Sequence, residues 1–284
     1  MTQRIIALVD GSIYSASVCD HAGWVADRTG APVELLHVLG RHEGPQTQDL
    51  SGAICLGART ALMQELAELD AQRAKLMAQR GRAILEDAHA ILIRDGVAEI
   101  TTRLRHGDIV ETMAESGTDA SLILIGKRGE AANFAKGHLG SNLERIVRAS
   151  SLPVLVAPRA FKPIAKVLLA YDGGGSARKA VDHIARNPLF AGLAVHVVTV
   201  GSASPEVTKG LADAAARLQG ARFSVQTAVI QGQPDTALGQ MVESDGFDMV
   251  VMGAYGHSRI RSLIIGSTTT QMIRSCKVPV LLIR

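Results

Sequence analysis

"IIALVDGS" at residues 5–12 and "VLLAYDGG" at 167–174 are two versions of one phrase, a short β-rich apolar run that stops at Asp-Gly, with Asp10 and Asp172 in the same place. The likeness continues outward from there. Val38, in "LLHVL" (35–39), lies 28 residues after Asp10, and Val200, closing "VVTV" (197–200), lies 28 after Asp172. "SLILIGKRG" (121–129) answers "DMVVMGAYG" (248–256), and "LPVLVAPR" (152–159) answers "VPVLLIR" (278–284). From Gly140 onward the offset is constant at 126 residues, pairing Gly140 with Gly266, Pro153 with Pro279 and Leu155 with Leu281. A repeat this regular implies duplication of one unit.

Helix-like segments separate the apolar runs: Ser15 to Arg28, Asp108 to Ser116, Ser176 to Arg186 and Thr236 to Ser244. Apolar runs with little polar alternation suit strands covered on both faces, so the βα alternation predicts a mainly parallel sheet in each half. The 284 residues, 47% of them apolar, suffice for two cores. The Pro-containing stretch "APRAFKPIAK" (157–166) reads as a linker, which gives a first domain over 1–160 and a second over 161–284.

Asp10 to Gly126 spans 116 residues and Asp172 to Gly253 only 81, so the first half is longer by about 35 residues, which fall near 41–95. "RHEGPQTQDLSG" (41–52) reads as a polar loop. Arg59 to Arg94 is rich in strong helix formers, with Leu62, Leu66 and Leu69 on one face and Gly81 as a candidate break. Such a helix either lengthens the layer over its own sheet or overhangs it for assembly; unbroken, it would outrun the sheet and its apolar stripe would call for a partner, giving a homodimer. The closing strands "PVLVAPR" and "PVLLIR" are expected to pair with each other inside the chain, as a pseudo-dimer of the two domains, because an outer strand edge carries unpaired backbone groups.

Lys plus Arg number 30 against 27 Asp plus Glu, so the net charge of +3 gives no strong field for nucleic acid or an anionic membrane, and 3% aromatic content argues against a base-stacking platform. Cys19, Cys55 and Cys276 are scattered and suit a reducing compartment, as small buried apolar residues. No apolar run is long enough to span a membrane. These features predict a soluble, cytoplasmic protein. The nine histidines make no metal-ligand pair, and no nucleophile with a paired base is apparent.

The chemistry lies in Gly253-Ala254-Tyr255-Gly256, nine further residues, then Gly266-Ser267-Thr268-Thr269-Thr270. Glycines admit a phosphate to the backbone, and a helix start offers free N–H groups, positive dipole and hydroxyls; as a capping motif alone, Gly-Ser would mean nothing more than a helix start. In a doubly wound sheet the ligand crevice opens where the strand order reverses, beyond the carboxyl ends of the strands. If the first and fourth strands of the half are neighbours there, Asp172, Val200 and the glycine loop share one crevice suited to an adenine nucleotide. His257 and Arg259 lie inside the loop and are either phosphate contacts or solvated loop residues.

The pattern G-x2-G-x9-G-[ST], the first strand ending in Asp and the closing "VPVLLI" strand resemble the universal stress protein family, in both halves. The resemblance implies α/β architecture: two tandem Rossmann-like domains, each an open five-stranded parallel sheet of order 3-2-1-4-5 with helices on both faces. It implies ATP as ligand and a nucleotide-responsive regulator or stress-survival factor; Mg²⁺, if it accompanies the nucleotide, would be held through the phosphates, since no carboxylate is placed beside them. The alternatives are a slow ATPase or nucleotidyl-transfer enzyme and a scaffold with a structural nucleotide. Carried onto this chain, the site would use Asp172 and Val200 at the adenine, Met252, Gly253 and Gly256 along the ribose and phosphates, and Gly266, Ser267 and Thr268 at the phosphates. The first half departs from the pattern, with ten residues between Gly129 and Gly140 where nine are expected. Lys127, Arg128 and Lys136 are its spare cations for an anion in another pose.

Overall fold

The computed structural model describes residues 3–40, 56–129, 140–254 and 266–284. The first half runs β1 (Arg4–Leu8), α1 (Ser15–Thr29), β2 (Val33–Leu39), α2 (Leu56–Arg94), β3 (Ile100–His106), α3 (Ile109–Ser116), β4 (Ala120–Gly126), α4 (Ser141–Ala149) and β5 (Val154–Ala157). The second runs β6 (Lys166–Ala170), α5 (Gly175–Arg186), β7 (Ala194–Val200), α6 (Pro205–Gly220), β8 (Ser224–Ile230), α7 (Pro234–Ser244), β9 (Met249–Gly253), α8 (Ser267–Ser275) and β10 (Val280–Ile283). Local chemistry sets several of these ends. Asp108 accepts hydrogen bonds from the Val110 and Glu111 N–H groups at the start of α3, Ser204 caps α6 ahead of Pro205, and α1 stops at Gly30, whose φ of 67° suits a residue without Cβ.

Within each half the strand order is 3-2-1-4-5, as expected, but the halves are not two separate open sheets. They form one ten-stranded sheet, β3-β2-β1-β4-β5-β10-β9-β6-β7-β8. All pairings are parallel except the central one, where β5 and β10 run antiparallel with Leu281 opposite Leu155. The intrachain pairing of closing strands is therefore what the structure contains. Its consequence is directional: the carboxyl ends of the first half's strands lie on one edge of the sheet and those of the second half on the other.

Helices α1, α2, α5 and α6 cover one face and α3, α4, α7 and α8 the other, each over a core that continues across both halves. Of the two outer strands, β3 is largely exposed and β8 about half-buried, and β3 carries Arg103, Arg105 and His106 exposed. Charge on an edge strand discourages further pairing. Polar contacts close the junction of the halves: Arg28 donates to the Leu189 carbonyl oxygen at 2.6 Å and to that of Ala191, and the Arg284 guanidinium donates to the Ser150 carbonyl oxygen at 3.0 Å.

Gly81 does not break α2. The helix runs unbroken for 39 residues, and Gly81 lies close against the sheet, where an added Cβ would lie 2.7 Å from Leu104 Cδ1 and 3.0 Å from His37 Cδ2. From there Leu85, Ala88 and Leu92 continue the buried face. Close approach also explains the glycine that ends the fourth strand of each half. A Cβ on Gly126 would meet Tyr14 Cβ at 2.7 Å, and one on Gly253 would meet Ser176 Cβ at 2.8 Å. In both halves the first turn of the first helix crosses directly over that residue.

Two thiols behave as small core groups. Cys19 and Cys276 are buried, and burial is the main cause that pushes their pKa values up, to about 12 and about 11; Cys55 lies outside the described residues. His21 is fully buried against the ring edge of Phe161, its Nδ1 2.6 Å from the Ser17 carbonyl oxygen. Burial lowers its pKa to about 4, against the opposing pull of that carbonyl.

Two measurable outcomes arise from this packing. Gly253→Ala is expected to cost about 1–3 kcal/mol by overpacking against Ser176, and adding Ser176→Gly should recover most of it; equal urea midpoints for Gly253→Ala and the wild type would contradict the close approach. His21 is neutral in the fold down to about pH 4, whereas the unfolded chain takes up its proton near pH 6.5. Its contribution is complete above pH 6.5 and is lost as the pH falls towards 4, up to about 3 kcal/mol. Thermal melts should show a shallower acid slope in His21→Gln, and an unchanged slope would remove His21 as its source.

Candidate functional site

The order reverses in the second half between β6 and β9, which pair in parallel with Ala170 opposite Met252. Two residues on, Asp172 is exposed at the carboxyl edge, and its Oδ1 accepts a hydrogen bond from the Gly174 N–H at 2.8 Å. The turn that carries Asp172 into α5 is thus fixed by its own side chain. On the other side of β6, the Thr199 hydroxyl donates to the Tyr171 carbonyl oxygen at 2.6 Å, which ties the ends of β6 and β7 together and leaves Val200 half-buried at the rim. His37 makes the equivalent contact in the first half, its Nδ1 2.7 Å from the Val9 carbonyl oxygen.

Gly253 ends β9, and the buried Thr269 donates its hydroxyl to the Gly253 carbonyl oxygen at 3.3 Å. That bond draws the first turn of α8 to the end of β9. Gly266 occupies the N-cap with φ −56° and ψ 143° and has no side chain with which to cap the helix, whose first turn holds no acid. Ser267 is exposed and Thr268 half-buried beside it. The N–H groups of that turn and its positive dipole end therefore meet no carboxylate of their own helix, the condition under which a helix start favours an anion.

The structure brings Asp172, Val200, Gly253, Gly266, Ser267 and Thr268 to one edge of the sheet. Met252 differs: its side chain is 5% exposed and packs into the core beneath α7 and α8, so only its main chain faces the crevice. Gly256, His257 and Arg259 lie outside the described residues. Thr269 and Thr199 are positioning residues that the sequence did not single out. Their signal was faint, one threonine among three in a row and one at the end of an apolar strand, and helix phase and strand register decided which hydroxyl turned inward.

The first half assembles the corresponding pieces with different chemistry. Asp10 Oδ1 accepts from the Ser12 N–H at 3.0 Å and from the Ser15 hydroxyl at 3.2 Å. A Cβ on Gly129 would lie 3.0 Å from Asp10 Oδ2, and one on Gly140 would lie 3.4 Å from the Gly129 nitrogen, so Gly129 sits against Asp10 and Gly140 against Gly129. The next helix, α4, carries Glu144 in its first turn, which opposes an anion at that end. Lys127 is not available as a spare cation. Its ammonium donates at 3.0 Å to the Cys276 carbonyl oxygen at the C-terminal end of α8, and burial pushes its pKa down to about 8. Lys136 and the ten-residue spacer lie outside the described residues.

The family model described as "Universal stress protein family" matches residues 1–158 and again 163–284. The chain is 36% identical over 286 residues to the universal stress protein Slr1230 of Synechocystis sp., covering 99% of this chain and all of that one. It is 25% identical over 301 residues to a universal stress protein of Mycolicibacterium smegmatis, covering 99% and 96% of the two chains. The crystal structure of a universal stress protein from Archaeoglobus fulgidus has the same fold, with a TM-score of 0.74 at 20% identity over 99% of this chain and 98% of that one. With the family's domain matched twice and a whole-length relative above a third identical, the chain belongs to the universal stress protein family as a tandem, two-domain member.

Proposed function

We propose that the second domain binds ATP and that the protein is a cytoplasmic, nucleotide-responsive regulator or stress-survival factor. The observation that carries this reading is the start of α8, acid-free, opened by a glycine that has no side chain to cap it, and drawn by Thr269 to the end of β9. A polyphosphate is the ligand that such a turn favours. Asp172 and the half-buried Val200 offer the base a polar edge and an apolar surface, and Ser267 and Thr268 supply hydroxyls to the phosphates. Mg²⁺ would enter as the counter-ion of those phosphates, screening their charge. No described helix is long and apolar enough to cross a membrane.

The two halves are unequal on this reading. Glu144 opposes an anion at the first-half helix start, and Lys127 is committed to the Cys276 carbonyl oxygen. Calorimetry on the wild type should therefore give close to one ATP per chain, and two equivalent sites would overturn the asymmetry.

Gly266→Val tests the site itself. The backbone there has negative φ, so valine fits the conformation while its branched Cβ obstructs the approach of a phosphate. ATP affinity should fall at least about tenfold, roughly 1.4 kcal/mol, in a protein that still melts cooperatively. Unchanged affinity in such a protein would refute the assignment. Hydrolysis is expected to be well below the ~1 per second of ordinary enzymes, because the carboxylate at the crevice already accepts a backbone N–H and holds a turn. Fast single-turnover ADP formation lost in Asp172→Asn would favour an ATPase instead.

A further inference from the structure

Helix α2 follows β2 in the chain and descends to the start of β3, and it meets the sheet at Gly81, against His37 and Leu104, and at Ile84, against Gly11. The residues before Gly81 therefore point past the carboxyl edge of the first half's strands. From Leu56 to Arg80 they extend about 37 Å at 1.5 Å per residue. This projecting segment carries Met63 (36% exposed), Leu66 (38%), Leu69 (55%) and Leu76 (64%), four of the large apolar side chains that stand out in solvent. Leu62, Leu66, Leu69 and Leu76 fall at spacings of four, three and seven, which places them on one face, the seam of a two-stranded coiled coil.

Between Leu62 and Leu76 the charges on this segment are sorted by sign. Glu65, Glu68 and Asp70 come first, Arg73 and Lys75 come after them, and the sign changes at Ala71. Two parallel copies would set acid against acid and base against base. Two antiparallel copies, crossing at Ala71, would set the acidic turns of each against the basic turns of the other. In that register Leu66 faces the partner's Leu76, and Leu69 lies on the aliphatic stem of the partner's Arg73, whose head reaches solvent.

We propose that the projecting half of α2 is the dimer interface of this protein, and that its occupant is the same segment of a second copy, packed antiparallel about Ala71. The apolar stripe supplies the attraction and the charge order selects the orientation, the usual division of labour in coiled coils. The pairing is isologous, so it closes at two copies. It sets the carboxyl edges of the two first domains facing each other, with the two Gly81 positions on the order of 30 Å apart. The second-domain crevices open on the opposite edge of each sheet and face outward. The dimer therefore does not depend on the nucleotide reading, and either can fail without the other.

Sedimentation velocity on the full chain tests this. The wild type is expected to sediment as a dimer at micromolar concentration. Leu66→Glu with Leu69→Glu should sediment as a monomer that still melts cooperatively, since both side chains are exposed within a single copy, and its melting temperature should no longer depend on concentration. Arg73→Glu with Lys75→Glu should weaken the dimer by about tenfold at low salt. Adding Glu65→Lys, Glu68→Lys and Asp70→Lys to that variant should restore it, because reversing every sign between Leu62 and Leu76 preserves antiparallel complementarity. A monomeric wild type, a dimer that survives the leucine changes, or a charge reversal that fails to restore association would overturn the proposal.

Discussion

The unpaired edge of the last strand in each half is the constraint on which the rest of this structure depends. Strands β5 and β10 are four residues long and buried throughout, and alone each would leave a row of backbone N–H and C=O groups without partners. Pairing them with each other satisfies both rows within one chain. Because the pairing is antiparallel, the halves are turned end for end, and their crevices open on opposite edges of a shared sheet. The same junction recruits side chains that a single domain would have used otherwise. Lys127 comes directly after the fourth strand of the first half, where a phosphate loop begins, yet its ammonium closes the C-terminal end of α8 in the other half.

Steric close approach separates what the glycines mean from what they suggest. Gly126 and Gly253 are required because the first turn of α1 or α5 crosses them, with Tyr14 and Ser176 within contact of where a Cβ would stand. Those two positions therefore argue for a helix packed hard onto a strand end, not for a ligand. The case for an anion rests instead on the helix that Gly266 opens. The first turn of α8 is free of acid, whereas that of α4 contains Glu144. One carboxylate near a helix start opposes the dipole that would otherwise hold a phosphate, which makes the two similar halves chemically different.

Helix α2 is one continuous element with two jobs divided at Gly81. Below it, Leu85, Ala88 and Leu92 are buried over the sheet, in the layer that α2 shares with α1. Above it, the same periodicity continues with leucines in solvent and charges sorted by sign. A glycine usually lowers helix stability, and the sequence alone offered it as a break. Here the absence of a side chain is what lets the helix lie against His37 and Leu104, so the residue that suggested an end to the helix anchors it.

Much of this fold was legible in the residues. The paired phrases ending at Asp10 and Asp172, the constant offset from Gly140 onward and the unbroken apolar runs determined two copies of a parallel α/β unit, because periodicity and duplication are properties of the chain itself. The edge pairing was legible too, since backbone groups at a sheet edge need partners whatever the side chains are. The fate of individual side chains was not. That Met252 packs into the core, that Thr269 rather than Thr268 ties α8 to Gly253, that Lys127 crosses to the other half and that Gly81 packs rather than breaks were decided only by tertiary structure. Each depends on helix phase, on strand register or on a neighbour far along the chain, and local sequence specifies none of these.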